Sequence, residues 1–88
     1  MKKIVEVVEV EGEGLESLLG QNVLLLCLNY FYAGKLIGVN DSFVRLENPQ
    51  IVYETGAWAN KSYTDAQPMH ATTWNIQRSA IESWGIGK

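Results

Sequence analysis

From residue 23 onward the chain reads as short apolar runs separated by small polar corners, the pattern of strands and turns. Residues 23–28 (Val-Leu-Leu-Leu-Cys-Leu) carry no polar partner on either face, so the pattern predicts a strand covered on both sides. One face would fill a core, and the other would meet a short helix, the N-terminal strand or another subunit. Residues 31–39 and 43–48 are two further β-favouring runs. They are joined by Asn40-Asp41-Ser42, and Asn and Asp reverse a chain by bonding nearby backbone. Pro49 has no N–H to give to a ladder and marks a bulge or an edge, beyond which residues 51–54 continue the strand. Residues 72–76 and 80–84 read as a closing hairpin turning near Gln77-Arg78-Ser79.

Ahead of these runs, residues 4–10 (Ile-Val-Glu-Val-Val-Glu-Val) are β-branched with interspersed glutamates and read as a strand. Glu11-Gly12-Glu13-Gly14 is a joint. Leu15, Leu18 and Leu19 then fall at helical spacing before Gly20, predicting a helix of one or two turns that holds only if its leucine face is packed. Residues 56–71 mix Gly, Asn, Ser, Thr, Asp, Gln and Pro with Trp58, Tyr63 and Met69, and read as a long loop, either functional or mobile. Gly34 and Gly38 lack side chains at two points of one strand, where bending would crowd a neighbour. The expected class is all-β. The expected architecture is a small SH3-like barrel of five strongly bent antiparallel strands with a short N-terminal helix, to which the 4–10 stretch could add an extra strand.

With 88 residues the chain is expected to make one domain, residues 1–14 preceding a barrel at 15–86. A composition 47% hydrophobic and 19% charged is that of a globular chain. The net charge of −3 argues against broad, non-specific nucleic-acid binding, which needs excess Lys and Arg, but leaves room for a local basic patch. The lone Cys27 lies in an apolar run and reads as a buried, reduced thiol. Lys2-Lys3 leads into Glu-punctuated sequence, not an apolar signal segment, and no apolar run reaches membrane-spanning length. The expectation is a soluble cytoplasmic protein with no membrane partner.

These residues resemble the Sm-like family, the ring-forming, RNA-associated proteins of spliceosomal, LSm and Hfq type, over residues 15–86. The segment from Leu15 to Val23 looks like the family's N-terminal helix running into its first strand. Gly34-Lys35-Leu36-Ile37-Gly38-Val39-Asn40 is similar to the first Sm motif, Gly-x-Leu-x-Gly-x-Asp, and residues 76–81 around Arg78 faintly resemble the second. In the gapless register Asn40, Ser42 and Val44 stand at the family's Asp, aromatic and RNA-contacting Asn positions. One inserted residue instead brings Asp41 and Phe43 onto the Asp and aromatic positions. Ser79 replaces the Gly that follows the family's Arg, and the Lys-His pair of Hfq-type proteins is missing after Tyr53. The resemblance implies a homo-oligomeric ring, with strands 72–76 and 80–84 of successive subunits paired at their edges. It also implies single-stranded RNA bound at the pore-side corners by Asn40, Asp41, Phe43 and Arg78. A divergent, phage-type member is among the readings.

The same residues have plainer roles. Asn40 and Asp41 make a turn on their own chemistry, and Arg78 can be a solvated charge. Trp58 and Tyr63 either form a stacking platform or partner patch, or fold back to cap the barrel or a neighbour. His70 is the only histidine and Cys27 sits in a separate apolar strand, so no metal-ligand cluster is read, and with no nucleophile–base–orienter pattern neither enzyme activity nor a cofactor is expected. The acidic residues from Glu6 to Glu16 would keep an edge strand soluble, repel nucleic acid from one face or select a basic partner. The alternative to RNA binding is a structural or protein-interaction module, for example in a viral or accessory assembly.

Overall fold

The alternation of buried and exposed positions yields six strands. The computed structural model describes residues 14–88; the strand expected at residues 4–10 and the joint at 11–13 lie outside the described residues. The strands are β1 (Asn22–Cys27), β2 (Phe31–Val39), β3 (Phe43–Glu54), β4 (Asp65–Pro68), β5 (Thr73–Gln77) and β6 (Ile81–Ile86). They make one antiparallel sheet in the order β4-β3-β2-β1-β6, with β5 also on β3. β2 spans the residues that the sequence pattern predicts. The expected helix is instead a single 3-10 turn, Leu15–Leu18. Four residues are too few for an α-helix to repay its nucleation, and a tight i→i+3 turn suffices to bury Leu15.

β3 is twelve residues long and passes through Pro49 by means of a bulge. Ala33 pairs with Gln50 and Lys35 with Glu47, so Gly34 alone faces both Asn48 and Pro49. Asn48 takes the left-handed conformation that the extra residue requires, at φ 51°. The bulge reverses the parity of the strand. Val44 and Leu46 face one side of the sheet, while Val52, at the same even spacing, faces the other. A second irregularity, between Leu36 and Gly38, lets both Leu36 and Val39 point to the first side.

Two cores result. The larger joins Leu15, Val23, Leu25, Cys27, Leu36, Val44, Leu46 and Ile76. The smaller, on the opposite face, joins Leu24, Ala33 and Val52 under Tyr63 and Ala66. β1 is therefore covered on both faces, as its sequence predicts, but its second face is covered by the segment that reads as a long loop. Within that segment Asp65–Pro68 forms β4 on the far half of β3, which the sequence reading missed because Asp and Pro are poor strand formers. Leu28 ends outside β1 and is 76% exposed, so the apolar run overshoots the strand by one residue.

β5 and β6 do not form the expected hairpin. β5 pairs with β3 and β6 with β1, on opposite margins of the sheet, which stays open between them. The connection Arg78–Ala80 is a 3-10 turn that crosses the gap. Its first N–H, from Arg78, donates to Ser42 O at 2.8 Å, and Ala80 O accepts from Leu28 N–H at 3.2 Å. A tight hairpin would forfeit both bonds and strand Ile76, now paired with Val44, away from the core.

The two sequence-marked glycines of β2 differ. A Cβ at Gly34 would come within 3.0 Å of Glu47 O and 3.2 Å of Leu46 Cβ, whereas one at Gly38 would meet Arg45 Cβ at an ordinary 3.5 Å. Gly34→Ala is expected to cost about 1–3 kcal/mol in urea unfolding and Gly38→Ala under about 0.5 kcal/mol. Equal losses at the two positions would remove close approach as the reason for Gly34.

Candidate nucleic-acid interface

The β2–β3 corner is built by Asn40. Its Oδ1 accepts the backbone N–H groups of Ser42 at 2.7 Å and Phe43 at 2.8 Å, while Asn40 N–H donates to Phe43 O at 3.0 Å. This is the Asx chemistry that makes Asn a turn residue. The Asn40 oxygen is thus committed to the turn, leaving the amide nitrogen as the part of that side chain free of it. Asp41 stands exposed at the tip and makes no side-chain hydrogen bond among the described residues.

Arg78 reaches this corner from the other end of the chain. Besides its backbone bond to Ser42, its Nη1 donates to Asn40 O at 2.9 Å. The structure therefore brings Asn40, Asp41, Phe43 and Arg78 to one place, although 38 residues separate the first and last. A single bond uses one of the five guanidinium donors.

Three residues of this surface escaped the sequence reading. Arg45 lies over the Phe43 ring, 5.7 Å from its centroid, and its Nε donates to Asn75 Oδ1 at 2.9 Å. Gln77 pairs with Phe43 across the β3–β5 ladder. Arg45 was findable, since it stands two residues from Phe43 on a strand and so shares its face. Val44 between them is fully buried, so the gapless register places a core residue at the family's RNA-contacting position. Beside the corner, a cleft of about 300 Å³ is lined by Tyr30, Tyr32, Trp74, Asn75 and Gln77. It offers aromatic faces and amide groups, and one of the latter, Asn75, accepts the Arg45 bond.

Trp58 and Tyr63 line a different surface. Trp58 is 70% exposed above a shallow apolar groove with Leu24, Leu26 and Trp84, whereas Tyr63 folds back onto the smaller core. Of the two, Tyr63 folds back onto the sheet and Trp58 remains largely exposed. His70 packs edge-on against Trp74, 5.9 Å between centroids. No helix among the described residues is long and apolar enough to cross a membrane. Comparison with known proteins finds no family model, no curated protein and no solved structure that matches the chain.

Burial pushes the Cys27 thiol above its ordinary value of 9.0, and it also raises Tyr32, with smaller contributions from Cys27 and Tyr30. Both groups are harder to ionise folded than unfolded, so their linkage favours the folded state below the unfolded values and is lost as pH rises through the folded ones. The urea midpoint is expected to fall as pH is raised past 9.0, and to fall less steeply in Cys27→Val. Identical alkaline slopes in the two proteins would show that Cys27 does not carry the effect.

Proposed function

We propose that this is an Sm-like small barrel that assembles head-to-tail and binds single-stranded RNA at the corner of Asn40, Asp41, Phe43 and Arg78. The observation that carries this reading is the pair of bonds from Arg78 to Ser42 O and Asn40 O. They join the corner after the Gly-x-Leu-x-Gly pattern to the Arg of the fainter second motif, the two stretches on which the family resemblance rests. In this reading the sheet is a barrel with β5 and β6 as its lips. The unpaired margin of β5 in one subunit takes up the unpaired margin of β6 in the next. Such a head-to-tail contact closes into a ring when its rotation permits, and closure consumes exposed edges.

Base recognition falls to the aromatic and amide lining of the neighbouring cleft and to Phe43, and phosphate contact to Arg45 and Arg78. Single-stranded RNA is read in this way, by stacking faces with cations that track the backbone. The second reading, a protein-interaction module, is favoured by one feature: Trp58 stands exposed over an apolar groove whose lining includes none of the residues that Arg45 and Arg78 contact. The overall charge of −3 suits that reading as well.

Native mass spectrometry at low and high salt, followed by gel-shift titration with U-rich and A-rich RNA, separates the two. The expected result is one closed multi-subunit species that retards RNA at low salt. Arg78→Ala is expected to weaken binding by about tenfold and flatten the log–log salt slope by roughly 0.7 per lost phosphate contact. A salt-independent monomer that leaves RNA unshifted would overturn the proposal in favour of the interaction module.

A further inference from the structure

The ammonium of Lys88 occupies a ring of backbone carbonyls. Its Nζ donates to Thr55 O at 2.6 Å, Ala57 O at 2.9 Å and Ser62 O at 3.3 Å, which accounts for all three of its N–H donors. The ring centroids of Tyr63 and Trp58 stand 5.3 and 5.9 Å from the same nitrogen. The oxygens come from both limbs of the segment between β3 and β4, so one cation holds together two stretches of chain that share no ladder. None of these five groups is a carboxylate. The cation is held by carbonyl dipoles and aromatic faces, which favour an ammonium over a neutral group of equal size.

The approach of the lysine is itself built. Gly87 N–H donates to Asn22 O at 2.8 Å, and Lys88 N–H donates to the Tyr63 hydroxyl at 3.1 Å. A Cβ on Gly87 would come within 2.9 Å of both Tyr63 Oη and the Val23 carbonyl carbon, so glycine is what lets the chain pass between Tyr63 and β1. Tyr63 in turn covers Leu24, Ala33 and Val52.

We infer that residues 55–64 form a binding site for a primary alkylammonium ion, and that Lys88 is its resident ligand, holding this segment over the smaller core. The site depends on neither the oligomer nor RNA. It accepts the ammonium group as a chemical class: three convergent acceptors match the three N–H bonds of a primary ammonium, whereas the planar fork of a guanidinium does not meet them all. An added alkylammonium therefore replaces Lys88 once its side chain is cut away.

Amide hydrogen exchange of residues 57–64 tests this. In Lys88→Ala the exchange is expected to speed up by about tenfold, as for a segment that has lost its tether. Lys88→Met, which keeps most of the stem but not the charge, is expected to behave like Lys88→Ala. Millimolar n-butylammonium is expected to restore protection in Lys88→Ala, and n-butanol is not. Full protection in Lys88→Met would assign the effect to packing of the stem. Unchanged exchange in Lys88→Ala, or no recovery with n-butylammonium, would likewise overturn the inference.

Discussion

Everything in this sheet depends on one extra residue. Gly34 opposes both Asn48 and Pro49, and that mismatch turns β3 over in the middle of its length. Without it Val44, Leu46 and Val52 would share one face, since side chains alternate with a period of two. With it, β3 supplies Val44 and Leu46 to one core and Val52 to the other. The bulge needs a residue that tolerates the left-handed region, a residue content without a ladder N–H, and a partner strand with no Cβ at the point of contact. Asn48, Pro49 and Gly34 meet those needs in turn.

The bulge also sets where the later chain must go. The near half of β3 is taken by β5 and the far half by β4, so two short strands share one long margin. β6 then has only β1 to pair with, at the opposite margin, and the Arg78–Ala80 turn must cross between them. That crossing places Arg78 on the Asn40 corner. The candidate site is thus a consequence of how β3 is divided, and its geometry is fixed by backbone bonds at Ser42 and Ala80 as much as by side chains.

The central strands were legible because their signals are local. β2 and the Asn40 corner follow from β-favouring residues and Asx chemistry, and β1 from a run with no polar partner. The rest was hidden because it is non-local. Asn48-Pro49 reads as an interruption, and only the position of Gly34 across the ladder turns it into a bulge within one strand. β4 is a strand because the far half of β3 offers it partners, against the propensity of Asp65 and Pro68. In the site, the turn role of Asn40 could be read from its type, whereas the contact of Arg78 depends on a crossing that a hairpin reading conceals. The long segment likewise supplies Tyr63 and Ala66 to the second face of β1 around Leu24, a cover that its composition conceals.

Charge limits what the corner can do alone. The chain carries seven lysines and arginines against ten carboxylate residues. Among the described residues Lys88 is drawn into the carbonyl ring, and Arg45 and Arg78 are the cations at the corner. Two guanidinium groups beside an exposed Asp41 make few phosphate contacts, and polyanion affinity grows with the number of such contacts. Under the proposed function a single copy would therefore bind RNA weakly, whatever the quality of its aromatic cleft. Repetition of the corner around a closed assembly changes this, because each further contact on one strand forms at high effective concentration. The assembly and RNA readings are consequently one proposal in energetic terms. On that proposal, an acidic chain with two cations at its corner would hold RNA usefully only by presenting that corner several times.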